Sequence, residues 1–212
     1  MEIKNLVVYF LKQAPKSLGR TEIMKYVYLF EYYYYQMYKE QYTDLVFERY
    51  KFGPNQLGVI EAIDELAQEG IINVNTYENY YGGTSYDHTM KYGSDNPYYE
   101  LEYKEKEIAS FIVDKLGNMN YRGVLDIAYD TPPMKEIIEE EKRCGFQFYG
   151  RVIDMSKSKP IFKSSRQARK LARERIESQQ QLRGSDEEYY SHLLEQYNNY
   201  EDTRRRARIA GS

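Results

Sequence analysis

The sequence predicts a mainly α-helical domain with a small antiparallel β-hairpin wing, winged-helix-like in arrangement, followed by a C-terminal helical extension. Three observations predict it: apolar residues recur at helical spacing over residues 2–13 and 21–40, a short alternating run at 45–52 precedes a third helix, and Gly-punctuated strand-like runs begin at residue 71. Three helices, with a strand before the third and a hairpin after it, is the element order of a winged-helix domain.

Taken in order, Ile3, Leu6, Val7, Phe10 and Leu11 define the first helix, which Pro15 closes. After Gly19, Thr21 is the expected cap of a long second helix with Met24, Val27, Tyr28, Tyr35 and Met37 as apolar positions, ending near Glu40. Lys25 on that apolar helix is expected to snorkel toward water or a carboxylate such as Glu48. Residues 45–52 alternate as a strand, and Gly53-Pro54 is expected to end it and launch a third helix from Gln56 to Glu69, stopped by Gly70. Strands are expected over Ile71–Thr76, Thr84–Tyr92 and Tyr98–Tyr103, with Gly82-Gly83 as a turn. Helices follow over Glu105–Leu116, Gly123–Ala128 and Pro132–Lys142, the last with Thr131 as its expected cap oxygen and Pro132 where a missing N–H is tolerated.

The composition shifts after Gly150. Residues 1–150 hold 16 Lys and Arg against 24 Asp and Glu, a net charge of −8, whereas residues 151–212 hold 14 against 9, a net of +5. The chain therefore divides into a helical domain with its wing at 1–150 and a basic helical extension or tail at 151–212. In the extension, Ser164 to about Gln180 and Ser185 to about Tyr200 read as helices. The first has a thin apolar stripe of Ala168, Leu171, Ala172 and Ile176. Arg166, Arg169, Lys170 and Arg173 can share one of its sides, so they are candidates for contact with nucleic acid or an acidic partner, and read first as a solvated arm or one docked on the acidic body of the same chain.

The residue types that carry enzyme chemistry are sparse, and the reading is that the chain is not an enzyme. His88 and His192 have no neighbours at metal-ligand spacing and read as surface histidines. The single cysteine, Cys144, fits a reducing compartment and offers no disulfide. Glu139, Glu140 and Glu141 are consecutive on a helix and read as a solvated face. No metal, cofactor or catalytic residue is expected, no apolar run reaches membrane-spanning length, and nothing marks the chain for export, which places it in the cytoplasm. With 25 tyrosines and no tryptophan, core and surface both depend on rings with a polar tip, which suits an interaction surface and equally follows from an A/T-rich coding sequence.

Three blocks of residues resemble a known family. Glu22-Ile23-Met24-Lys25-Tyr26-Val27-Tyr28-Leu29 is similar to a family helix with a Lys-Leu-Leu-Tyr-Leu type motif, matched by Lys25, Tyr28 and Leu29. Tyr50-Lys51-Phe52-Gly53-Pro54 and the following Ile60, Leu66, Gly70 and Ile71 resemble its Tyr-Gly-Pro turn and helix, with Phe52 where tyrosine is usual. Tyr129-Asp130-Thr131-Pro132-Pro133-Met134 resembles its Thr-x-Pro-aromatic segment, with Met134 in place of the aromatic residue. The family is the Panacea, or SocA-like antitoxin, domain, and the resemblance covers about residues 5–142.

The resemblance implies a bacterial or phage protein that neutralises a cognate toxin or effector, by direct contact or by delivery to proteolysis. It also implies partner-binding roles for Lys25, Tyr28, Tyr50, Phe52, Gly53, Pro54, Tyr129, Thr131 and Pro133, whereas the physical reading of the motif residues puts fold-making ahead of direct partner contact. Two other readings stay open on sequence. One is a winged-helix DNA-binding regulator, although the third helix carries Glu61, Asp64, Glu65 and Glu69 and no basic residue to meet phosphates. The other is a phage counter-defence protein that binds a host immune factor. Oligomeric state is not encoded legibly.

Overall fold

The computed structural model describes residues 2–78, 82–93, 99–157 and 191. The chain divides into two units, Met1–Ile161 and Phe162–Ser212, and every element below belongs to the first. The helices expected after Ser164, His192 and the four basic residues Arg166, Arg169, Lys170 and Arg173 lie outside the described residues.

Helix α1 (Glu2–Gln13) turns Leu6, Val7, Phe10 and Leu11 inward. A two-residue strand, β1 (Leu18–Gly19), leads into α2 (Arg20–Tyr38), which α1 and the later helices surround. Such a position requires a helix that is apolar nearly all round. The tyrosine-rich sequence meets that requirement: Ile23, Tyr26, Val27, Tyr28 and Phe30 are each fully buried. Ring edges meet ring faces at Phe10–Tyr26, 5.3 Å between centroids, and at Tyr28–Phe47, 5.4 Å. The N-cap is Gly19 rather than the expected Thr21, because the Glu22 carboxylate accepts the Gly19 N–H at 2.9 Å and so closes the first turn one residue earlier. Lys39, with φ 65°, ends the helix in the left-handed region.

Residues 45–52 do not form one strand. They contribute β2 (Glu48–Tyr50), which pairs antiparallel with β3 (Gly53–Asn55) across a two-residue turn at Lys51 and Phe52. Gly53-Pro54 lies inside the second strand of this hairpin instead of ending the first. Gly53 takes φ +86°, which reverses the chain, and Pro54, lacking an N–H, is tolerated in so short an edge strand opposite Arg49. Helix α3 (Leu57–Gln68) follows, its first turn capped by the Gln56 side chain on the Gly58 N–H.

The wing is β4 (Ile72–Glu78) paired with β5 (Thr84–Met90), and β1 adds to the outer edge of β5. The fold is thus mainly α with a small antiparallel wing, as the sequence predicts. His88, read as a surface residue, is fully buried, because β1 covers its strand and the Leu18 carbonyl meets its Nδ1 at 3.0 Å. The strand expected over Tyr98–Tyr103 is absent among the described residues: Leu101 is buried as irregular chain, and Tyr103 already opens α4 (Tyr103–Leu116). Helices α5 (Tyr121–Tyr129) and α6 (Pro132–Cys144) complete the bundle.

Beyond α6 the chain returns alongside β2. The Arg49 N–H donates to the Arg151 carbonyl at 2.7 Å, and the Ile153 N–H donates to the Phe47 carbonyl at 2.8 Å. Ile153 and Met155 are buried by this return, and a short 3₁₀ turn (Met155–Lys157) follows. Ile153→Ala is therefore expected to destabilise the domain by about 2–3 kcal/mol. A chain ending at Ile161 should keep a single cooperative thermal transition. A broad, non-cooperative melt of that chain would show that residues 162–212 belong to the core.

Candidate functional site

The three sequence blocks, dispersed along the chain, meet at one corner of the fold. Lys25 and Tyr28 lie three residues apart on α2, a spacing that puts both on one face. Lys25 does not snorkel to water or to Glu48. It is 2% exposed, and its ammonium donates to the Pro54 carbonyl at 2.5 Å, because β3 lies directly over this part of α2. Burial first, then the nearby Arg49 charge, push its pKa from the usual lysine range down to about 7.

Tyr28 reaches the α5–α6 junction. The Thr131 hydroxyl donates to the Ala128 carbonyl at 2.8 Å, so its oxygen accepts from the Tyr28 hydroxyl at 2.7 Å. Thr131 occupies the N-cap position of α6, yet its side chain makes no cap bond. The buried phenol claims that oxygen, which corrects the role expected for it. Pro133 and Met134 are buried beneath the same junction.

The hairpin docks on α5 through Gly53 and Tyr129. A Cβ at Gly53 would stand 3.1 Å from the Tyr129 ring, so glycine is required there for space as well as for its φ. Behind the hairpin sits Arg49, whose Nε and Nη2 donate to the two Glu141 carboxylate oxygens at 2.9 and 3.0 Å. Its Nη1 bonds the Tyr50 carbonyl, and its guanidinium lies over the rings of Tyr129 and Tyr149. Glu141 is therefore a buried ion-pair partner and not part of a solvated face. Glu140 pairs with Arg151 at 2.5 Å, and only Glu139 of the three is exposed.

Outside this polar frame the corner is aromatic. Tyr50 and Phe52 are 56% and 49% exposed at the hairpin tip, and Tyr149 packs beside Tyr50 with ring centroids 5.9 Å apart. Between the hairpin and α2 lies a cleft of about 130 Å³, lined by Arg20, Met24, Lys25, Tyr50, Phe52 and Asn55 among others.

The expected site residues thus fall into two groups. Lys25, Tyr28, Gly53, Pro54, Thr131 and Pro133 are buried or pinned and hold the corner together, while Tyr50 and Phe52 face outward and Tyr129 lies between the two groups. Among the described residues no helix is long and apolar enough to cross a membrane, and no three His, Cys, Asp or Glu side chains gather as metal ligands would.

A family model described as antitoxin SocA-like, Panacea domain matches residues 23–133, more than half of the chain. The chain belongs to the Panacea-domain family. No curated protein and no solved structure matches it. The Panacea match contains Lys25, the whole hairpin and the α5–α6 junction, whereas Glu141 and Tyr149 lie beyond its end. Those two residues carried no family signal. Arg49 carried a local signal of another kind, because it lies on β2 two residues after the buried Phe47 and so falls on the same inward side of the alternation.

Proposed function

We propose that this Panacea-domain protein is a non-enzymatic, protein-binding regulator of the antitoxin type, which neutralises a cognate toxin by direct contact through the β2–β3 corner. Family membership supports an antitoxin-like role. The observation that carries the choice of surface is the exposure of Tyr50 and Phe52 on a hairpin whose base is fixed by Lys25, Gly53, Tyr129 and the Arg49–Glu141 pair. Rigid, exposed aromatic residues on an ordered frame are what a binding hot spot needs, since little side-chain entropy is lost when they are covered. On this reading Tyr50 and Phe52 touch the partner, and Lys25, Tyr28, Gly53, Pro54, Tyr129, Thr131 and Pro133 present them. The basic extension, including Arg166, Arg169, Lys170 and Arg173, serves protein contact before nucleic-acid contact.

Co-expression with a cognate toxin, sought in the adjacent gene, supplies the test. Co-expression is expected to restore growth to toxin-producing cells. The Tyr50→Ser/Phe52→Ser variant is expected to lose that rescue and to weaken the isolated complex by about a hundredfold, with its thermal midpoint unchanged. Full rescue by the variant would move the interface elsewhere.

A further inference from the structure

Two basic side chains, Lys25 and Arg49, are buried behind the β2–β3 hairpin, and one acidic side chain, Glu141, accompanies them. Both Glu141 oxygens are engaged by Arg49, so Lys25 has no counter-charge among the described residues. Its ammonium carries three N–H donors and spends one on the Pro54 carbonyl. On the same cleft wall, Arg20 pairs through Nη2 with Asp64 at 2.8 Å, while its Nε is buried with no hydrogen-bond partner. Asp64 neutralises Arg20 and Glu141 neutralises Arg49, so the cleft offers unspent N–H donors and, in Lys25, one basic group without a counter-charge among the described residues, beneath two exposed rings.

We propose that this cleft receives a carboxylate side chain of the partner protein, an Asp or Glu next to an apolar residue that packs on Tyr50 and Phe52. The proposal rests on the protein-binding reading above and specifies the ligand chemistry of that surface.

Size selects a side chain. At about 130 Å³ the cleft is well below the few hundred Å³ of an ordinary small-molecule site but can admit a carboxymethyl or carboxyethyl group. Charge selects a lone carboxylate over a phosphate chain. The adjoining α3 carries Glu61, Asp64 and Glu65 and is followed by Glu69, four acids against the paired cations Arg20 and Lys4, a net negative flank that repels an extended polyanion but leaves room for one acidic residue in an otherwise neutral or basic segment. Burial has made the charged form of Lys25 expensive, and an incoming carboxylate returns the missing counter-charge.

Random dodecapeptides displayed on phage and panned against the full-length chain provide the probe. Enriched peptides are expected to share one Asp or Glu beside an apolar residue. Changing that acid to Asn or Gln should weaken binding to the wild type at least about tenfold, and to Lys25→Met less than about twofold. Phe52→Ala, an exposed change, should weaken the same peptides about tenfold. Should Lys25→Met fail to fold, carbodiimide coupling of the peptide to the wild-type protein should place the new amide on Lys25, mapped by mass spectrometry.

Enriched peptides without an acid, no enrichment, equal loss against Lys25→Met, or coupling to another lysine would each overturn the proposal. None of these outcomes touches toxin rescue, which tests the protein-binding reading separately.

Discussion

Glu141→Gln is expected to lower the stability of the domain by about 3–5 kcal/mol, the usual loss when one partner of a buried ion pair is removed. The geometry places this pair in that class. The Arg49 and Glu141 side chains are 4% and 8% exposed and meet through two parallel hydrogen bonds. Glu141 also accepts the Phe148 N–H at 2.9 Å, tying the returning segment to α6. Glutamine keeps the shape and one acceptor but leaves the guanidinium uncompensated next to buried Lys25. The joint replacement Arg49→Leu/Glu141→Leu should lose less than the single change, because no charge is then stranded. Denaturant unfolding of the three proteins decides the point. A loss below about 1 kcal/mol for Glu141→Gln would mean that water reaches the pair and that packing alone holds the corner.

This pair also marks where sequence reading stopped. The helices were legible because each buries one face at a 3.6-residue period: α1 and α3 run as their apolar spacing predicts, and the hairpin wing follows its glycines. The differences at Thr131, Glu141 and Lys25 share one physical cause, competition from a distant group for a side chain whose local role looked settled. Thr131 had the type and position of a cap, but its oxygen is taken by Tyr28, 103 residues away. Glu141 had the setting of a surface charge until Arg49, 92 residues away, is placed beside it. Lys25 looked able to reach water, and β3 lies across its path. His88 is buried by β1, a strand of two residues too short to leave a periodic signal. Candidate site residues were found through family blocks, which report positions held by the fold. The outward rings of Tyr50 and Phe52 and the buried frame beneath them could be told apart only once the corner was assembled.

Between pH 7 and pH 10 the stability of the domain is expected to rise, and Lys25 is the reason. Its pKa is pushed down to about 7 by burial, while the unfolded chain returns it to the ordinary value of 10.5. In that interval the unfolded state binds a proton that the folded state has released, so raising the pH favours folding. Below pH 7 both states are protonated and the folded state bears the full penalty of a buried ammonium. Spread over the interval, the effect is on the order of 4–5 kcal/mol.

Other shifted groups bound the window. Glu31 is pushed up to about 7 by burial, against the Thr43 and Tyr42 amides that favour its carboxylate, so its contribution is lost as pH rises from the ordinary carboxylate range to 7. His88 is lowered by burial and acts in the opposite sense below neutrality. Tyr26, Tyr32 and Tyr42 are raised by burial to about 12, so they favour the folded state up to pH 10 and withdraw that support above it. Denaturant melts at pH 7, 8.5 and 10 should therefore show midpoints that climb for the wild type and stay level for Lys25→Met. A wild-type curve as flat as the variant's would mean that Lys25 remains charged in the folded protein, held by its bond to Pro54 and by water.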